Sequence, residues 1–179
     1  MLLAAPSRRP GPVVPYITAW SSEQGVQPLV VTRGAGIGYA DETPYDRDAD
    51  GVLWTRVPSS PGRGRPEFGQ VHLMRQRRAM RRMLCQVCGE AADRDENGTL
   101  WLLGSDEDEY LTTSHPPVCA PCAVLSLRVC PHLRRRHTLI RVRSCVPLGV
   151  HGVLHAPSWI PTGDSPTGIP ACRGCAPRN

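Results

Sequence analysis

Two Cys-x-x-Cys pairs, Cys85/Cys88 and Cys119/Cys122, constrain this chain more than any other feature. Each pair sets two thiols on one tight turn, and two such turns supply the four sulfur ligands that a tetrahedral zinc ion takes. The competing reading is two pairs of free or redox-active thiols. Four protein ligands leave no position for water, so a zinc held this way is expected to be structural rather than catalytic. Composition explains why such a centre is needed. Among 179 residues there are 19 Pro, 17 Gly and a single Phe, Phe68, which resists a large regular core. The apolar content suffices for a modest core, and a metal is the expected remedy for a short central module.

Further donors exist in Cys130, His132, Cys145, Cys172 and Cys175. Their spacing is irregular, and the last two fall in a Pro/Gly-rich stretch. They are read as buried or free thiols in preference to a second zinc site.

The flanks of the quartet follow the order of a treble-clef zinc module: knuckle, hairpin, then a second pair at a helix start. A helix is expected over 67–84, with Val71, Met74, Met80, Met83, Leu84 and Val87 at roughly helical spacing. After the first pair, Asn97-Gly98 signals a hairpin turn, with 99–103 as its second strand. Pro121 suits the first turn of a helix running to about residue 130, which Pro131 ends. Thiolates on that first turn gain from the helix dipole. Before the helix, strands are expected over 14–19, 28–32 and 52–57, with a turn at Gly34-Ala35-Gly36 and a linker over 58–66. After the module, 137–143 and 149–155 read as strands. The whole is expected to be an α+β fold: a loose tail over 1–12, one zinc-centred unit over 13–155 with its treble-clef core at about 67–131, and a Pro/Gly-rich tail over 156–179.

One internal echo stands out. Asp46-Arg47-Asp48-Ala49-Asp50-Gly51-Val52-Leu53-Trp54 matches Asp93-Arg94-Asp95-Glu96-Asn97-Gly98-Thr99-Leu100-Trp101. It is read as one hairpin solution used twice, each burying a Leu and a Trp. The first copy also resembles the opening half of an EF-hand calcium loop. That loop closes on a bidentate Glu, whereas Val57 stands here, so hairpin turns are favoured over calcium.

All basic residues are Arg, with no Lys, and the formal charge of +5 leans toward anionic partners. The guanidinium fork binds phosphate and carboxylate bidentately. Two clusters could meet nucleic acid: Arg75, Arg78 and Arg82 on the expected helix, and Arg134, Arg135 and Arg136 with Arg141 and Arg143. The bland reading is solvated surface, or pairing with the acidic run 105–109. No apolar run is long enough for a membrane span, and the start is too short for a signal-peptide core, so a cytoplasmic protein is the default expectation. In a reducing cytosol, eight Cys read better as ligands and free thiols than as disulfides.

Leu84-Cys85-Gln86-Val87-Cys88-Gly89, followed by Cys119-Ala120-Pro121-Cys122, resembles the zinc-supported core of the HNH nucleases over roughly residues 75–130. That resemblance implies a His general base on the hairpin and metal-binding Asn and His around the second helix. The hairpin here reads Thr99-Leu100-Trp101-Leu102-Leu103, and Ala123-Val124-Leu125 follows the second pair. The catalytic residues are therefore not found, and the core looks like a degenerate form. Gly64-Arg65-Pro66-Glu67-Phe68-Gly69-Gln70-Val71-His72, Val14-Pro15-Tyr16-Ile17-Thr18-Ala19-Trp20 and Cys130-Pro131-His132-Leu133 also look like a group of uncharacterised actinomycete proteins. That resemblance spans roughly 13–155, implies one intact unit and carries no activity with it.

The leading expectation is a non-enzymatic, zinc-stabilised accessory or regulatory binding protein whose Arg-rich face contacts nucleic acid or an acidic protein. The alternatives are a divergent HNH-like metal-dependent nuclease, or a protein-binding adaptor using the acidic loop and the apolar hairpin strands.

Overall fold

The computed structural model describes residues 13–26, 28–34, 36–104, 112–150, 152, 153 and 155. They form a mixed α+β fold of three small sheets, three α-helices and one 3-10 turn at Ser21–Glu23. The expected tails over 1–12 and 156–179, the acidic run 105–109, Cys172 and Cys175 lie outside the described residues.

The first sheet pairs β1 (Thr18–Trp20) antiparallel with β4 (Pro66–Val71). This corrects the expected helix over 67–84. Gly69 weakens the helix, and β1 offers a ladder, with Thr18 opposite Val71 and Trp20 opposite Pro66. The helix α1 (Leu73–Arg82) begins only after His72, whose Nδ1 accepts the Arg75 N–H at 3.3 Å as an N-cap. His72 is fully buried, and its other nitrogen lies 3.0 Å from Pro58 O. Since Nδ1 accepts, Nε2 carries the proton and donates to that carbonyl. α1 stops at Met83, whose left-handed φ of 51° turns the following Leu84 N–H back onto Ala79 O at 2.9 Å.

The second sheet is a hairpin of β2 (Val30–Arg33) and β3 (Gly36–Tyr39). The expected strand over 52–57 does not form; Leu53 makes only a single bridge to Arg47. The reason is competition for amide groups. Asp48 Oδ1 accepts the Val52 N–H at 3.0 Å, and Asp46 O accepts the Trp54 N–H at 2.8 Å. The Trp54 bond belongs to that one bridge, while the Asp48 side chain takes the Val52 N–H that would extend it.

The third sheet has the order β5 (Arg94–Asp95), β6 (Gly98–Gly104), β7 (His137–Val142). Its turn falls one residue earlier than expected: Asp95 pairs with Gly98, Glu96 and Asn97 turn the chain, and Gly98 opens β6 at φ 117°. Gly51 takes the same role in the first copy of the echo, at φ 78°. Both copies thus spend their Gly on a left-handed position after the turn. β6 is buried from residue 98 to 103, so both of its faces are covered. Helix α2 (Ala120–Val129) has Pro at its first turn and Cys119 as N-cap. A short α3 (Pro131–Arg135) follows, so Pro131 both ends one helix and starts the next. The described residues of the expected strand 149–155 carry no ladder. No described helix is long and apolar enough to cross a membrane.

Candidate metal centre and arginine surface

The four cysteines meet because three backbone segments lock to one another. In the knuckle, Gly89 N–H donates to Cys85 O at 2.9 Å, and Gly89 itself holds φ 78°. Cys85 N–H donates to Glu90 O at 2.6 Å. The buried run Pro116, Pro117, Val118 then passes between knuckle and hairpin. Pro117 O accepts from Gln86 N–H, Val118 N–H donates to Leu100 O at 3.0 Å, and Asp93 N–H donates to Val118 O. Cys119 follows directly and starts α2, which puts Cys122 on its first turn. Below the sulfurs, Leu100, Leu102, Val118 and Ala123 pack with Cys85 as the core, with Leu127 and Leu133 at its edge.

The N-terminal segment closes this arrangement from outside. Tyr16 N–H donates to Val87 O at 2.9 Å and Ile17 N–H to Gln86 O at 3.2 Å. A Cβ on Gly89 would lie 2.9 Å from Tyr16 Cδ2, so the ring rests on the bare glycine. Sequence reasoning missed this clamp, because Tyr16 and Gly89 are far apart in the chain.

All four ligand sulfurs lie within 4.8 Å of one another. Cys88 and Cys119 lie 3.9 Å apart. Cys85 is buried, Cys119 and Cys122 are half-buried and Cys88 is exposed; all are free of disulfides. Burial opposes charge on Cys85, yet amide hydrogen bonds from Cys88, Cys119 and Val87 outweigh it and pull its thiol down. Burial first, and then the neighbouring sulfurs, push Cys88 and Cys122 up. For Cys122 these effects override the favourable helix dipole. Four sulfurs this close cannot all ionise by themselves, and a divalent cation removes that repulsion. The donor set therefore fits a metal ion. Among the described residues it is the cluster of His, Cys, Asp and Glu atoms close enough to share one.

The other candidate donors do not join it. Cys130 caps α2 and is half-buried, while His132 and Cys145 are exposed. His115 and His137 are exposed as well. Calcium, disfavoured from the sequence at Val57, also finds the Asp46 and Asp48 carboxylates occupied by protein donors. Asp46 is gripped by Arg56 at 2.6 Å and by the Thr43 N–H at 2.6 Å. Asp48 takes the amides of Asp50 and Val52, the Trp54 Nε1–H at 2.7 Å and Arg77 at 3.2 Å.

The structure sorts the arginines into two sets. Arg75 is not available to a partner. It is buried, and its guanidinium forks onto Glu23 with both contacts at 2.7 Å while donating to Thr18 O. That pair holds Glu23 well below its usual range, at about 2, against the cost of burial. Arg141 is half-buried and crosses the sheet to Asp93 at 2.6 Å and Asp95 at 3.2 Å. It therefore does not share a free face with Arg143. Arg77 lies over the Trp54 ring, 3.7 Å from its centroid. In contrast, Arg78, Arg82, Arg134, Arg135, Arg136 and Arg143 are exposed and form no ion pair among the described residues. Arg81 and Arg128 belong with them.

No protein-family model, curated protein or solved structure matches the chain.

Proposed function

We propose that this chain is a zinc-stabilised accessory or regulatory protein whose free arginines contact the phosphate backbone of nucleic acid. The zinc part rests on the sulfur quartet. Zinc–thiolate bonds of about 2.3 Å in a tetrahedron set sulfurs about 3.8 Å apart, close to the 3.9 Å between Cys88 and Cys119. Knuckle, hairpin and helix around the sulfurs support a treble-clef reading. With every position filled by cysteine, the ion supplies rigidity.

The observation that carries the binding reading is the sorting of the arginines. Acidic side chains are matched to the arginines that hold the fold, such as Glu23 to Arg75 and Asp93 to Arg141. The stretch from residue 110 to 163 contains no Asp or Glu at all, so Arg128, Arg134, Arg135, Arg136 and Arg143 have no acid nearby in the sequence. Unneutralised, exposed guanidinium groups on a rigid scaffold suit phosphate. Exposed aromatic rings, Tyr45 and Phe68, lie elsewhere in the chain, which favours backbone contact over base stacking.

The test is a salt titration of binding to duplex DNA and to RNA, followed by fluorescence anisotropy. Affinity should fall steeply with salt, and replacing Arg134, Arg135 and Arg136 with Ala should flatten the log–log slope by up to about 3. Binding that ignores both salt and the triple substitution sinks the reading. Magnesium- or manganese-dependent cleavage in the same tubes would favour the nuclease alternative instead.

A further inference from the structure

The four sulfurs differ in how far a reagent can reach them. Cys85 is fully buried and shielded by amide hydrogen bonds, including the Val87 N–H at 3.4 Å. Cys119 and Cys122 are half-buried. Cys88 alone of the quartet is exposed, and the half-buried Cys119 sulfur lies 3.9 Å from it. An exposed thiolate with a second thiolate within reach is the arrangement that two-electron oxidants convert to a disulfide. A disulfide needs about 2.05 Å between sulfurs, a movement of roughly 2 Å. The backbones of Val87 and Val118, which precede Cys88 and Cys119, are held by hydrogen bonds, so the movement falls to the two cysteine side chains.

We propose that Cys88 is the entry point of a peroxide-reactive site, and that its oxidation ejects the metal through a Cys88–Cys119 disulfide. This rests on the metal reading above and adds a regulation to that centre. The Cys88 thiolate attacks one oxygen of hydrogen peroxide, the O–O bond breaks and hydroxide leaves, giving the sulfenic acid. The Cys119 thiolate then attacks the Cys88 sulfur and displaces a second hydroxide. The two sulfurs have together lost two electrons, peroxide has taken them, and solvent protonates both hydroxides to water. Only Cys85 and Cys122 remain as ligands, too few to hold zinc. The ion leaves, and their sulfurs take up protons.

The test uses the full chain with its zinc content measured first. Hydrogen peroxide is added at a molar equivalent, released zinc is read with a chromogenic chelator, and disulfides are mapped by mass spectrometry after blocking free thiols. The expected result is loss of the bound zinc together with a Cys88–Cys119 linkage, reversed by dithiothreitol plus zinc. The double variant Cys130→Ser/Cys145→Ser, which leaves the quartet intact, should release zinc to the same extent. Zinc that stays bound, or that leaves with a different linkage such as Cys119–Cys122, overturns this inference and leaves the metal reading standing. A folded starting sample without zinc overturns both.

Discussion

Over residues 13–65 the described charged contacts are carboxylate–guanidinium pairs, whereas over 84–142 one such group, Arg141 with Asp93 and Asp95, stands beside a quartet of sulfurs. Glu23 with Arg75, Glu42 with Arg47, and Asp46 with Arg56 and Thr43 are self-contained: each anion brings its own cation. The cysteines bring no cation. Their mutual repulsion when ionised is a cost that only an added ion relieves, so the second region depends on its surroundings in a way the first does not. The regions touch directly through the Tyr16 and Ile17 amides on the knuckle, and indirectly through α1, whose Arg77 meets Asp48 and Trp54 and whose Gln76 donates to Ser114 O. Two chemistries joined by a thin seam should fail under different conditions.

The largest effect should come from removing the ion. Chelation, or Cys85→Ser, should strip protection from residues 84–142 in hydrogen exchange, because structural zinc contributes on the order of 10 kcal/mol in small modules. Residues 13–65 should retain more protection. Equal loss in both regions would merge them into one cooperative unit and erase the contrast.

Glu23→Gln attacks the other side. It leaves the Arg75 guanidinium buried and without its counter-charge, at a cost of about 3–5 kcal/mol. Urea midpoints should fall accordingly while metal content stays unchanged. A variant that also loses its metal would show that the seam is stronger than described.

Acid provides a graded version of the same cut. Glu23 titrates at about 2 in the fold against an ordinary 4.5. Its stabilisation is thus fully present above the ordinary value and drains away as pH falls from 4.5 toward 2, a change of about 3 kcal/mol. The stability gap between wild type and Glu23→Gln should therefore close over that window. A gap that persists at the acid end would mean that charge on Glu23 is not what the pair contributes.

The smallest effect probes the seam. Gly89 holds φ 78°, and an added Cβ would meet the Tyr16 ring at 2.9 Å. Gly89→Ala should cost about 1–2 kcal/mol. With Tyr16→Ala the combined loss should be less than the sum, since the clash disappears with the ring. Strict additivity would place Tyr16 elsewhere.

The contrast between regions also explains what could be read in the chain beforehand. The quartet was legible because Cys-x-x-Cys is a local pattern whose chemistry depends little on context, and the proline start of α2 and strand β7 are equally local signals. Arg75 was not legible. It sits among arginines at helical spacing and looks like its neighbours, and its partner Glu23 lies 52 residues away. The strand β4 was hidden for a similar reason: residues 67–71 carry apolar positions that suit a helix, and the deciding factor is the ladder offered by β1. The failed strand at 52–57 shows the converse, a good strand composition cut to a single bridge where the Asp48 side chain captures the Val52 amide. Long-range pairing and side-chain capture leave no periodic trace.

The most direct test of the account is the metal content of the purified protein, by elemental analysis alongside circular dichroism. The account predicts one zinc ion per folded chain, and none in Cys85→Ser, whose folded signal collapses. A folded wild-type chain free of metal, or a Cys85→Ser variant that keeps both its zinc and its fold, would contradict it.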